Sequence, residues 1–218
     1  MPALLVREIF YSIQGEASRA GLPCAFIRLQ GCSLRCSWCD TPFAWDKNAK
    51  VESLEIEEIL SRISSYRCRF VEVTGGEPLE QETCIPLLTR LCDEGYTTAL
   101  ETGGHVDIRN VDPRVIVILD VKCPGSGMEK RNLLSNLEYV KPSDEIKFVL
   151  KDRSDYEWAR DFMRDNSIPA ISRNILFAPA FGHLTPRTLA EWILADYLPV
   201  RLQLQIHKYI WGQNTKSV

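Results

Sequence analysis

Cys32, Cys36 and Cys39 stand within the segment GCSLRCSWCD at 31–40, spaced C-x3-C-x2-C. Three thiolates this close can converge on one metal centre. A structural zinc site wants four ligands, usually as two separated pairs. No second pair is evident, because His105, His183 and His207 are dispersed. A ferredoxin-type cubane also wants four cysteines. Three local thiolates therefore suggest a cluster with one iron left open, and an open coordination position is where chemistry happens. Zinc completed by a distant ligand stays as the alternative.

Other polar groups fall near the ends of strand-like runs. Gly75-Gly76 in TGGEP and Gly103-Gly104 in TGGH lack Cβ atoms, so a ligand can approach the backbone closely; a tight turn is the plainer reading. Glu101 and Asp120 end strand-like runs and suit hydroxyl or amine donors, or are surface acids. Lys122 is an ion partner for Asp120. Asp40-Thr41-Pro42 is a common turn sequence, placed directly after Cys39. Arg28 carries a planar fork that can clamp a carboxylate, or form a rim salt bridge.

These residues need a frame. Apolar or β-branched runs occur at 24–29, 69–73, 97–101, 115–120, 145–150, 174–178 and 201–206. Helical patterns lie at 53–65 after a Ser53 N-cap, at 82–94 before Gly95, at 153–165 and at 185–196. The stretch 121–143 is weak and irregular. Alternating strands and helices imply parallel strands with right-handed crossovers. The fold class expected is α/β, an incomplete (β/α)6-type partial TIM barrel with trimmed helices; an open doubly wound sheet is the runner-up. In either, ligands sit at the carboxyl ends of strands, where the cysteine loop and both GG loops fall.

The chain has 218 residues, 45% hydrophobic, and a formal charge of −3. One domain spanning 1–218 is expected. It includes the cysteine loop at 31–40. The acidic balance argues against a general nucleic-acid grip. No run of about 18 apolar residues exists to cross a membrane. MPALLVREIF lacks the plan of a signal peptide, so the chain is expected in the cytoplasm, where thiols stay reduced. The other cysteines then read as packing residues. Cys84 and Cys92 share a helix face with Leu88 and Leu91. Cys24 and Cys68 flank strands. Cys123 is the least settled.

The cysteine loop after the first barrel strand, Trp38 before its last cysteine, and GGEP after the next strand resemble the radical S-adenosylmethionine superfamily. EIFYSIQGEASRAGLPCAFIRLQGC, CDTPFAW, ETGGH, DVKCPGSG and QIHKYIWG narrow the resemblance to the 7-carboxy-7-deazaguanine synthase family over nearly the whole chain. It implies a [4Fe–4S] cluster on Cys32, Cys36 and Cys39, with S-adenosylmethionine on the open iron. It also implies a radical ring contraction of 6-carboxy-5,6,7,8-tetrahydropterin, on the route to queuosine and other deazapurines. Further implications are Mg²⁺ ligated by Thr41, an external electron donor of the flavodoxin or ferredoxin class, and a homodimer.

By the same resemblance, the N-terminal segment 1–23 is substrate-binding, and Ile13, Gln14, Gly15, Arg28, Thr74 and the C-terminal Val218 contact substrate, with Arg28 taking the substrate's carboxylate. Glu16 and Glu101 are candidates for its guanine-like N–H edge on chemical grounds, since only an acceptor suits two adjacent donors. Trp38, Cys39, Asp40, Gly76, Asp120, Val121, Lys122 and Ala178, Pro179, Ala180, Phe181 line the adenosylmethionine. Three departures stand out. Ala17 replaces the family's usual glycine, Gly103 replaces an asparagine, and NTKSV replaces a terminal proline, which weakens a role for Val218. The rival readings are a radical activase that installs a glycyl radical on a partner protein, and a non-enzymatic zinc module.

Overall fold

The computed structural model describes residues 3–46, 48, 50–212 and 215. Its strands are β1 (Leu4–Ile13), β2 (Pro23–Leu29), β3 (Glu52–Leu54), β4 (Phe70–Gly75), β5 (Thr97–Thr102), β6 (Ile116–Asp120), β7 (Glu145–Leu150), β8 (Asn174–Pro179) and β9 (Arg201–Leu202). The helices are α1 (Ile56–Ser64), α2 (Cys84–Asp93), α3 (Arg153–Asp165), α4 (Ile168–Ile171), α5 (Pro186–Ala195) and α6 (Ile206–Ile210). The strands form one sheet in the order β3-β1-β2-β4-β5-β6-β7-β8-β9. From β2 through β9 each neighbour pair is parallel, and β1 and β3 are antiparallel additions at one edge.

Strand order decides between the two architectures expected. A doubly wound sheet reverses its order at a switch point and carries helices on both faces. Here the order never reverses, so right-handed crossovers deliver every helix to one face. Ile59 and Ile63 of α1, Leu87 and Leu91 of α2, Tyr156 of α3 and Leu189 of α5 share a core with Ile27, Val73, Leu100, Leu119, Phe148 and Phe177. The opposite strand faces supply Phe26, Phe70, Ala99, Ile118 and Leu176 to a second, smaller core without helices. That is a partial barrel with a filled interior. The segment after β1 bridges its open side: the Ala17 N–H donates to Gln203 (2.9 Å) and the Ser18 hydroxyl to Glu145 (2.6 Å).

Local chemistry explains most helix ends. The Asp152 side chain caps α3 and Thr185 caps α5, with Pro186 at its first position. Gly95 follows α2 with φ +75°. Ser53 does not cap α1. It pairs with Leu5 in β3, and Glu55 with Glu58 makes a capping box instead.

Three further expectations are corrected. The N-terminal run is a ten-residue strand that the sequence reading left out. The run 201–206 is a strand only at Arg201–Leu202, and helix α6 begins at Ile206. Cys92 is only half-buried against the core, whereas Cys84 is fully buried. Between β6 and β7 the chain makes short 3-10 turns. There Asn136 accepts from the Ile108 N–H and donates to the Val106 carbonyl, pinning the β5–β6 connection that lacks a helix.

Candidate active site

The carboxyl ends of the parallel strands surround a cavity of about 470 Å³. Strand parity places its side chains. On β2, β4, β5, β6 and β7, the residues Arg28, Thr74, Glu101, Asp120 and Lys147 continue the inward face and line the cavity. Two residues earlier on β4, Glu72 forms part of its floor.

The cysteine loop leaves β2 through Gly31, whose φ of +103° a side chain would strain. Its flanks are tied down. Glu77 N–H donates to the Gly31 carbonyl (2.7 Å), Ser33 N–H to Glu80 (2.8 Å), and the Ser37 hydroxyl to the Gly125 carbonyl (2.8 Å). The buried Glu77 carboxylate also accepts from Leu79 N–H, the Thr102 hydroxyl and Gly103 N–H (2.7 Å). One residue thus joins both GG loops to the cysteine loop, through its backbone N–H on one side and its carboxylate on the other. Gly76 makes room for it, since a Cβ there would lie 2.0 Å from the Gly31 carbonyl oxygen and 2.9 Å from the Cys32 Cβ. Gly76→Ala must push the loop outward. The expected result is a folded protein with markedly reduced iron and sulfide after reconstitution; wild-type loading would show that the loop tolerates the shift.

Cys32, Cys36 and Cys39 all face the cavity and are partly accessible. Among the described residues no three Cys, His, Asp or Glu side chains converge on a single-ion site. A cubane takes one thiolate per iron, and three cysteines on one short loop can supply three of its four irons. Burial pushes the Cys32 thiol up to about 11 and the Cys36 thiol upward, with Lys122 opposing the latter. Ligation by iron is what would hold them as thiolates. The Cys39 Sγ lies 3.9 Å from the Thr41 hydroxyl. The donor set therefore fits a cluster held by three cysteines.

Opposite the cysteines, the floor is charged. Lys147 contacts Glu101, Glu16 (3.2 Å) and Asp120 (3.9 Å). Lys122 pairs with Asp120 Oδ2 (2.8 Å), while buried Asp120 Oδ1 has no protein partner. Gln14 donates its amide to Glu72. Burial, then the charges of Glu101 and Glu16, push Glu72 well above the ordinary carboxyl range. Burial would raise Glu101 too, but Lys147 outweighs it and holds this group low.

Arg28 is fixed on one side only. Its Nε donates to Glu8 Oε1 (2.7 Å), and the rings of Phe10 and Phe43 each lie 5.9 Å from its guanidinium carbon. A β-bulge between Val6 and Glu8 sets this up. The extra residue turns Val6 to the helix side and Glu8 to the inside. Among the described residues no hydrogen bond occupies the Arg28 Nη atoms, which leaves a fork for a carboxylate.

The radical SAM superfamily model matches residues 26–116. The 7-carboxy-7-deazaguanine synthase of Chlorobaculum tepidum is 46% identical over 99% of this chain and 97% of its own length. That of Koribacter versatilis is 42% identical over 98% and 99%. The chain belongs to the 7-carboxy-7-deazaguanine synthase family. Among solved structures, the crystal structure of QueE from Escherichia coli superposes with a TM-score of 0.77 at 26% identity, covering 93% of this chain and 94% of that one. Streptococcus suis SuiB bound to S-adenosylmethionine (TM-score 0.51, 15% identity) shares the fold alone.

Family membership makes the chain a radical SAM enzyme that uses a [4Fe–4S] cluster and S-adenosylmethionine, and it decides against the activase and the zinc module. The cavity gathers Ile13, Gln14, Gly15, Glu16, Arg28, Trp38, Asp40, Thr41, Thr74, Gly76, Glu101, Asp120, Lys122 and the run Ala178, Pro179, Ala180, Phe181. Val121 is a correction: it faces the helix-side core, because it alternates with the inward Asp120 and Lys122. Val218 lies outside the described residues. Ala17, at the family's glycine position, has φ +62° and is buried, a backbone strain of about 1 kcal/mol.

Several residues of the cavity escaped the sequence reading: Glu72, Lys147, Gln205, His207 and Lys208. The first two had a signal, a charge inside an otherwise apolar parallel strand. The others come from α6 and the turn before it, which cross the mouth. Gln205 donates to Glu16 (2.8 Å) and Asp40 (2.9 Å), and Lys208 to Asp40 (3.2 Å). His207 packs so closely on Gly15 that a Cβ there would meet its ring at 2.0 Å.

Proposed function

We propose that this chain converts 6-carboxy-5,6,7,8-tetrahydropterin to 7-carboxy-7-deazaguanine and ammonia by radical ring contraction, as a step of queuosine and deazapurine biosynthesis. The observation that carries this reading is one chamber holding three cysteines on one wall, a half-free arginine fork on another, and paired carboxylates in its floor. When bound, the cluster and S-adenosylmethionine supply the 5′-deoxyadenosyl radical that takes a substrate hydrogen. The protein's part is binding and orientation. Arg28 receives the substrate carboxylate. Glu16 and Glu101 accept from the two adjacent N–H donors of the pyrimidine edge, since only an acceptor suits them. Ile13, Gln14, Gly15 and Thr74 complete the substrate wall. Asp120, Lys122 and residues 178–181 flank the nucleoside, and the α6 segment covers the mouth against water.

Thr41 offers its hydroxyl to the cavity beside Cys39. A hard Mg²⁺ ion with few protein ligands and several from substrate or water suits that position. Thr41→Ala is expected to reduce the rate gain from added Mg²⁺ severalfold while iron and sulfide stay at wild-type levels. An unchanged Mg²⁺ titration removes Thr41 from the metal site.

The enzyme works as a cytoplasmic homodimer that takes its electron from a carrier of the flavodoxin or ferredoxin class. Among the described residues no helix is long and apolar enough to cross a membrane. Anaerobic incubation of the reconstituted protein with the carboxytetrahydropterin, dithionite and S-adenosylmethionine tests the reaction. The deazaguanine chromophore and ammonia appear if it is right. Their absence from protein with a full cluster overturns it.

A further inference from the structure

Lys147 is out of place by every local rule. It stands in the middle of β7, in EIKFVL, where Ile146, Phe148 and Leu150 are fully buried against the helices. It is itself only 5% exposed. A buried ammonium is costly unless paired, and a methionine or leucine would fill the same space. Its partners explain it. Glu16 comes from the loop after β1, Glu101 from β5 and Asp120 from β6, and all three line the cavity. Among the described residues its ion pairs all lie on the chamber side, so its charge serves the chamber.

The surrounding hydrogen bonds point the same way. Glu16 takes Lys147 and the Gln203 amide on Oε2 and the Gln205 amide on Oε1 (2.8 Å each for the amides). Glu101 takes Lys147 on Oε1 and the Thr74 hydroxyl on Oε2 (3.2 Å). Every one of these partners donates. An ionised carboxylate accepts only, whereas a protonated one carries an O–H that must donate.

We propose that Lys147 is a positioning residue for substrate recognition: its ammonium holds Glu16 and Glu101 as ionised acceptors facing the adjacent N–H donors of the pterin edge. The inference rests on the pterin reading above and adds a residue to it. The other charges around Lys147 cannot replace it. Asp120 already engages Lys122. Arg28 faces Glu72 and is held by Glu8. Lys208 holds Asp40 at the rim, and Glu145 on the same strand is held by Ser18 and Arg19. Without Lys147, the carboxyl groups of Glu16, Glu101, Asp120 and Glu72 crowd one floor. Glu101 loses the cation that holds it low against its own burial, and takes up a proton. A donor thereby faces the substrate's donors.

The test compares wild type with Lys147→Met and Lys147→Arg, each with its cluster reconstituted. The probe is 6-carboxypterin, the oxidised, unreactive pterin with the same pyrimidine edge, titrated calorimetrically. Wild-type binding is expected to be flat from about pH 5.5 to about pH 7, below the range in which the pterin's own ring N–H ionises. Lys147→Met binds roughly tenfold to a hundredfold more weakly at the acid end, the usual loss for a charged hydrogen bond. It recovers as pH rises, because deprotonation restores the acceptors. Lys147→Arg restores most of the affinity. With the true substrate, the Lys147→Met defect falls mainly on KM.

A pH-independent loss in Lys147→Met, or none, overturns the proposal. If Lys147→Met does not fold, Glu101→Gln decides. It should lose affinity at every pH without recovery, since its amide cannot become an acceptor-only group; full affinity overturns the proposal. Failure of wild type to form the deazaguanine would instead count against the proposed reaction.

Discussion

Cys36→Ala folds, retains only background iron and sulfide after reconstitution, and loses activity by more than about a thousandfold, because electron entry and cofactor cleavage both need the cluster. Cys36 faces the cavity, and its loop is anchored through Ser33 and Ser37. Truncating it therefore leaves the fold intact. Cys84→Ala is the control. That thiol is fully buried among Leu87, Leu88 and Leu91 in the helix-side core. Its removal costs about 1 kcal/mol of stability and leaves the iron and sulfide content unchanged. Cluster analysis and thermal melting on both variants check the division of eight cysteines into ligands and packing residues. Normal iron in Cys36→Ala would contradict the assigned ligand set.

Arg28→Met is expected to lower kcat/KM by about a hundredfold to a thousandfold, the scale of losing a bidentate charged contact in a dry site. Arg28→Lys recovers little. A lysine ammonium is a point charge, and the geometry here calls for a planar fork whose Nε is held by Glu8. The decisive comparison uses a tetrahydropterin lacking the carboxylate, with binding measured for both substrates. Wild type should strongly prefer the carboxylated one, and Arg28→Met should lose that preference. An equal preference in the variant would show that Arg28 serves only its ion pair. Since Arg28→Met removes a part-buried ion pair with Glu8, a melting curve accompanies the measurement to separate stability from binding.

What could be read in the chain before folding was mostly local. The C-x3-C-x2-C spacing, the GG pairs after strands and the helix stop at Gly95 depend on neighbours within a turn or loop. The β7 lysine shows the limit. EIKFVL reads as a buried strand, and its alternation says which residues share a face, but Lys147 gains its meaning from Glu16, 131 positions away. Glu8 is similar. Its pairing with Arg28 depends on a bulge that shifts the parity of β1, and a bulge leaves little trace in a sequence. Val121 is the opposite case: strand alternation alone sets its side chain in the helix-side core, apart from Asp120 and Lys122.

The sequence by itself determined which groups this protein has for chemistry: three clustered cysteines, one arginine on the strand before them, and acids at strand ends. It determined the crossover architecture as well, because periodicity and capping are short-range properties. Only the tertiary structure decided which charges meet. The curl of the sheet brings β1, β5, β6 and β7 to one floor, and α6 across its mouth. Whether a carboxyl group there is an acceptor or a donor depends on the nearest buried cation. That is a property of distance through the fold, which separation along the chain does not encode.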